Sequence, residues 1–227
     1  MTAPLIVLFE DNHLLAINKP AGVLVQGDET DDQPLVEVCK EYIKKKYNKP
    51  GEVFLGVVHR LDRPVSGVVV FARTSKALSR MNELFRQRET EKVYWAITDH
   101  MPSPPEATLV HWLRKDEKKN RTTAFRKETE DAQQSELTYK LVSKGESNYL
   151  LEIRPITGRS HQIRVQLAMV GCPIVGDLKY GSTRATGDGS IALHARRLSF
   201  LHPVKKEKVV LQADIPGKDW WKKFAHE

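Results

Sequence analysis

Apolar positions recur along this chain with two different periods. Alternating positions or short unbroken apolar runs predict strands at Leu5–Phe9, His13–Asn18, Val53–Val58, Gly67–Phe71 and Lys92–Thr98. The same signals recur at Ala107–Leu113, Gln134–Ser143, Asn148–Arg154, Ile191–Phe200 and Lys208–Ala213. Helical spacing appears where Pro34 opens a stripe of Leu35, Val38, Cys39, Tyr42 and Ile43, with Lys44, Lys45 and Lys46 placed for the negative end of the helix dipole. A second helix, capped by Thr74 or Ser75, aligns Leu78, Met81, Leu84 and Phe85. A third follows Ser160 as cap, carries Ile163, Leu167 and Val170, and stops at Gly171. A short terminal helix covers Trp220–Phe224.

Between these elements lie punctuating clusters: Glu10-Asp11-Asn12, Asn18-Lys19-Pro20-Ala21-Gly22, Pro102–Pro105 and the Gly-, Ser- and Thr-rich stretch Tyr180–Gly189. Strands outnumber helices, and many are joined by hairpin-length loops. The pattern therefore predicts an α+β fold with a mostly antiparallel mixed sheet flanked by a few helices. No repeat or flexible linker divides it, so residues 1–227 read as a single domain, with two half-lobes sharing one sheet an equally compatible arrangement.

A length of 227 residues, 40% of them hydrophobic, suffices for a packed core and excludes a disordered chain. No apolar run approaches the roughly 18 residues of a membrane span, and the N-terminus has no basic leader, which together predict a soluble cytoplasmic protein without a membrane partner. Lys and Arg number 36 against 29 Asp and Glu, a net charge of +7 that favours a polyanionic partner. Cys39 and Cys172 form no C-x-x-C pair and read as reduced thiols. Phosphate-binding glycine loops, the HExxH metal motif and a serine nucleophile elbow are absent from the sequence, and the eight histidines lack ligand spacing, so neither cofactor nor metal is expected.

Two clusters carry candidate chemistry. In Gly56-Val57-Val58-His59-Arg60-Leu61-Asp62-Arg63-Pro64-Val65-Ser66-Gly67 a carboxylate stands at a predicted strand end beside arginines, which favour its charged form as a base or nucleophile requires. The competing reading is an acid that caps a turn or forms a surface ion pair. In Arg154-Pro155-Ile156-Thr157-Gly158-Arg159-Ser160-His161-Gln162-Ile163-Arg164, arginines and polar side chains crowd a helix start, where free backbone donors already favour anions. Arg164 lies next to the apolar stripe, within reach of a buried carboxylate; a solvated basic face is the alternative. Tyr94, on a strand, reads by default as core, and Lys19 as an exposed lysine.

Taken in order, Asn18–Gly22, His59–Gly67, Lys92-Val93-Tyr94, Ile156–Arg164, Gly176-Asp177-Leu178-Lys179-Tyr180-Gly181, and Leu193-His194-Ala195 with Phe200–Pro203 resemble the RluA family of pseudouridine synthases. The resemblance spans nearly the whole chain. It implies helices around a mixed sheet with a central cleft, Asp62 as the catalytic aspartate, Tyr94 stacked on the target base, and Arg164 paired with the aspartate. It implies that Arg60 fills the space left by a flipped base and that Lys19 lies near the cleft. Arg159, His161 and Gln162 are further substrate-binding candidates. Val65 stands where the family usually has Thr, Gln166 where His is common, and Ser160 where Thr is usual.

The implied activity is cofactor-free isomerisation of a specific uridine in structured transfer or ribosomal RNA by a monomer. Its rivals are a non-catalytic RNA-binding protein on the same scaffold and a carboxylate-driven enzyme acting on free nucleosides.

Overall fold

The computed structural model describes residues 5–28 and 32–227, so the leader reading rests partly on residues 1–4, outside the described residues. In chain order the strands are β1 (Val7–Glu10), β2 (Leu14–Lys19), β3 (Gly56–Val57), β4 (Ser66–Ala72), β5 (Glu91–Thr98) and β6 (Glu106–Asp116). They continue with β7 (Arg121–Phe125), β8 (Gln133–Lys144), β9 (Tyr149–Pro155), β10 (Leu193–Leu201) and β11 (Lys208–Gln212). The helices are α1 (Leu35–Lys46), α2 (Ser75–Arg86), α3 (Gln162–Met169) and α4 (Asp219–Lys222), with a 3-10 turn at Leu178–Tyr180. The α+β class follows directly. The chain divides into two compact units, Met1–Glu91 with Ala195–Asp214, and Lys92–His194 with Ile215–Glu227.

In the first unit the strand order is β1-β2-β4-β10, with β3 also on β4 and β11 on β10. Leu14 to Ile17 of β2 and Val69 to Ala72 of β4 are fully buried, which explains why both strands read as unbroken apolar runs instead of alternating ones. Leu14, Ala16, Val68, Val70, Leu198, Phe200 and Leu211 pack with Met81 of α2 in one cluster. Each buried Leu, Val, Phe or Met of this cluster contributes roughly 1.5–3 kcal/mol. Thr74 caps α2, its hydroxyl accepting the Ala77 N–H at 3.1 Å. Gly67 has φ +117°, and a Cβ there would lie 2.3 Å from the Ala195 carbonyl oxygen, so glycine lets β4 begin against β10. Glu10 is saturated: its carboxylate accepts from Tyr42 (2.8 Å), Lys46 (2.6 Å), Tyr47 (2.7 Å) and Arg73 (3.2 Å), tying α1 to β1.

The second unit orders its strands β5-β9-β8-β6-β7, each neighbouring pair antiparallel. Strand β7 has no counterpart in the apolar pattern. Its sequence, Arg-Thr-Thr-Ala-Phe, is mostly polar, and its pairing with β6 supplies what its side chains do not signal. Two further expectations change. Val53–Val58 yields only the two-residue β3, because Phe54 is half exposed and the segment pairs only at Gly56 and Val57. The buried stripe of α1 uses Val36 where Val38 was expected.

Candidate active site

In the first unit, Asp62 is half-buried in the loop between β3 and β4, not at the end of a regular strand. Both flanks of the loop are fastened. Upstream, the Val70 N–H of β4 donates to His59 Nε2 at 3.1 Å, and the His59 ring stacks on Phe85 with centroids 4.9 Å apart. Downstream, the Val65 N–H closes a turn onto the Asp62 carbonyl at 3.0 Å. The Gly22 N–H donates to the Arg63 carbonyl at 2.7 Å, and Arg63 Nε returns a bond to the Gly22 carbonyl at 3.1 Å.

Lys19 corrects its sequence reading. It is fully buried, and its Nζ donates to the carbonyls of Pro20 (3.0 Å), Val23 (2.8 Å) and Arg63 (3.3 Å). The default of an exposed lysine fails, and the ammonium is directed at backbone carbonyls and not outward as a substrate contact would be. Burial pushes its pKa down to about 7, the field of Asp62 acts against that fall, and Arg63 adds to it. Asn18-Lys19-Pro20-Ala21-Gly22 thus clamps the loop that carries the acid. Arg60, on the same loop, is exposed; Val65 is buried.

The second unit holds the other candidates. Tyr94 is half-buried on β5 opposite Ile153 of β9; Val93 and Trp95 occupy the other strand face and are buried. Arg164, on α3, is 6% exposed and grips Asp177 through two parallel bonds, Nε to Oδ2 at 2.7 Å and Nη2 to Oδ1 at 2.9 Å. Its guanidinium also lies 5.1 Å from the Tyr180 ring centroid. The Tyr180 hydroxyl accepts the Thr122 N–H at 2.9 Å and bonds His161 Nδ1 at 2.7 Å. Asp177 and Tyr180, which lie in a quoted motif with no role assigned from sequence, are the partners that hold Arg164 and His161. The signal that could have found them is an acid thirteen residues beyond a helix-borne arginine, in a glycine-flanked turn.

The start of α3 differs from expectation. Its N-cap is His161, in the left-handed region at φ 54°, with no side-chain capping bond; Ser160 uses its carbonyl instead, accepting the Thr122 hydroxyl at 3.0 Å. Gln162 is 4% exposed and holds the loop together: Oε1 accepts from Thr157 Oγ1 (2.8 Å) and the Arg159 N–H (3.0 Å), while Nε2 donates to the Glu136 carbonyl (2.9 Å). Both ends of its amide are thus engaged. His161, also buried, is engaged with Tyr180. Arg159 remains exposed. Gln166 is fully buried, its Nε2 facing the Leu109 carbonyl (3.2 Å), the Ser135 carbonyl (3.3 Å) and His111 Nδ1 (3.1 Å). Among the described residues no group of three or more His, Cys, Asp or Glu is arranged to hold a metal ion, and no helix is long and apolar enough to cross a membrane.

Comparison with known proteins fits this geometry to a family. Residues 13–169 match the family model described as RNA pseudouridylate synthase. The tRNA pseudouridine synthase C of Vibrio parahaemolyticus is 31% identical over 96% of this chain and 92% of its own length. The ribosomal large subunit pseudouridine synthase C of Buchnera aphidicola is 31% identical over 92% of this chain, but the match spans 66% of that protein. Among solved structures, human RNA pseudouridylate synthase domain containing 4 superposes with a TM-score of 0.78 at 29% identity, covering 93% of this chain and 89% of the other.

Proposed function

The chain belongs to the RNA pseudouridylate synthase family, as its RluA resemblance implied, and from that premise we propose a substrate class and a role for each candidate residue. The protein is a pseudouridine synthase, an isomerase. Its proposed substrate is a uridine in structured transfer or ribosomal RNA. The relative matched over nearly its full length is named for tRNA, and relatives of equal identity but greater length are named for the ribosomal large subunit. The protein is proposed to act as a monomer in the cytoplasm.

In the proposed mechanism Asp62 is the catalytic carboxylate. The reaction breaks the bond between uracil nitrogen and the ribose, turns the uracil within the site, and rejoins it to the ribose through a ring carbon, whose proton is then released while the freed nitrogen takes one up. An anionic carboxylate can serve at the sugar carbon, on the uracil ring or as a base toward a sugar proton. Each role requires a fixed acid. The observation that carries the reading is the fastening of the Asp62 loop on both flanks, by His59 to β4 and by Lys19 and Gly22 to Arg63.

The base must leave its stack, at a cost of a few kcal/mol. Stacking on Tyr94 would return about 1–3 kcal/mol, and Arg60 would fill the vacated space. Arg164 is proposed as a catalytic residue, with Arg159 meeting the RNA backbone. Lys19, His161 and Gln162 position these groups.

Asp62→Asn keeps size and polarity but removes the charge. Pseudouridine formation should fall by at least about a thousandfold, with RNA affinity within a few-fold. The measurement is chemical mapping of pseudouridine in total RNA from cells lacking the gene and complemented with either form. Full modification by Asp62→Asn rejects the assignment, and the mapped position identifies the RNA.

A further inference from the structure

We propose that the tip of the β6–β7 hairpin, residues 114–121 with Lys179 beside it, binds the phosphate backbone of the RNA substrate. This rests on the RNA reading above and gives it a surface, residues 114–121, that lies outside the blocks carrying the family resemblance and outside the candidate site. The tip reads Arg114-Lys115-Asp116-Glu117-Lys118-Lys119-Asn120-Arg121, five basic residues against two acidic ones. The opposite end of β7, residues 126–131, has two basic residues against three acidic ones, so charge is segregated along the hairpin. Every side chain from 114 to 121 is exposed. Glu117 is taken by Lys115 at 2.6 Å and Asp116 accepts the Lys119 N–H at 3.0 Å, and five cations against two carboxylates leave the tip with an excess of positive charge.

The hairpin is also held in a fixed direction. On one face Leu113 and Ala124 pack against Val165, Ala168 and Tyr180, committing that side to α3. Alternation along the strand then turns Arg114 to the other face. Lys179 Nζ donates to the Asn120 carbonyl at 3.0 Å, Arg121 lies 5.7 Å from the Tyr180 ring centroid, and Thr122 bonds both Tyr180 and Ser160. A cation array on a braced two-stranded ribbon matches a polyanion whose charges are regularly spaced, because phosphate contacts need point charges and no pocket. A protein partner would call for an apolar centre to the interface, and residues 114–121 contain no apolar residue.

The test compares Lys118→Ala/Lys119→Ala with the parent and with a control, Lys44→Ala/Lys45→Ala, which removes the same charge from exposed lysines of α1. Binding of unfractionated tRNA is measured between about 50 and about 200 mM salt, where each phosphate contact contributes roughly 0.7–0.9 to the slope of log affinity against log salt. The tip variant should bind about 5- to 10-fold more weakly, with a slope shallower by roughly 1–2. The loss should fall on KM for RNA. Lys118→Arg/Lys119→Arg should restore both readouts. An unchanged slope and affinity in the tip variant overturns the inference, as does an equal loss in the α1 control. Failure of the proposed activity would look different: parent protein that leaves uridine unmodified, whatever the slopes.

Discussion

The loop that carries Asp62 and the helix that carries Arg164 are both fastened, by different kinds of group. Around Asp62 most acceptors are backbone carbonyls, His59 Nε2 being the exception: Lys19 donates to those of Pro20, Val23 and Arg63, and Gly22 and Arg63 exchange main-chain and side-chain bonds. Around Arg164 the partner is a carboxylate, Asp177, and the neighbouring bonds run through the side chains of Tyr180, His161, Gln162, Thr157 and Thr122, two of which also reach the Ser160 and Glu136 carbonyls. The first arrangement uses a cation whose charge can be given up, since burial brings the Lys19 pKa to about 7. The second uses a guanidinium that stays protonated at any ordinary pH and so needs a permanent counter-charge. A carbonyl cage can hold a neutral or a charged amine. A buried arginine needs its carboxylate.

That contrast is broken most forcefully at Asp177. Asp177→Asn preserves shape but leaves the buried Arg164 guanidinium without the carboxylate it forks onto. Removing one partner of a buried pair costs about 3–5 kcal/mol, and urea denaturation at neutral pH should show a loss of that size. A loss below about 1 kcal/mol, the scale of an exposed pair, would mean that the charge is compensated elsewhere and that the arginine side of the comparison is wrong.

Lys19→Met probes the other side with a smaller effect. It removes a donor to three carbonyls, for roughly 2–4 kcal/mol at mildly alkaline pH. The pH dependence is the sharper readout. The folded pKa lies below the ordinary lysine value of 10.5, so between about 7 and 10.5 the unfolded chain holds a proton that the folded chain has released. Stability therefore rises with pH across that window, by at most about 1.4 kcal/mol per unit from this one group. Below pH 7 both states hold the proton and the contribution is flat. The gap between parent and variant should widen from neutral pH to pH 10 in paired urea titrations. A constant gap would show that Lys19 keeps its proton throughout, and the two regions would then differ less than their geometry suggests.

How far each region was legible follows from the same physics. Apolar period placed β2, β4, β5, α1 and α2 because these elements bury continuous or striped faces. It missed β7, a polar strand whose pairing is supplied by β6. It also misplaced the start of α3, because His161 enters by a left-handed backbone step that no side-chain cap announces. Asp62, Tyr94 and Arg164 were visible as residue types within ordered blocks. The burial of Lys19 was not, because a lysine beside a proline turn carries no mark that its ammonium will meet three carbonyls. The bonds of Gln162 were hidden for a related reason: its amide meets Thr157, Arg159 and Glu136, and the Glu136 carbonyl is 26 residues away in sequence.

The smallest change separates charge from hydrogen bonding within the arginine region itself. Tyr180→Phe keeps the ring, and with it the contacts to Arg164 at 5.1 Å and Arg121 at 5.7 Å, while deleting only the hydroxyl. The Thr122 N–H and His161 Nδ1 then lose their partner in a site where Tyr180 is 6% exposed. The neutral hydrogen bonds involved are worth about 1–2 kcal/mol together, equivalent to a fall of roughly 2–8 °C in melting temperature for a chain of this size. Because Thr122 anchors β7, the same variant should loosen the hairpin, which hydrogen exchange at Thr122 and Thr123 would register as faster exchange than at β8. If Tyr180→Phe cost as much as Asp177→Asn, the hydroxyl network and not the ion pair would hold this region, and both regions would prove to be fastened by neutral hydrogen bonds.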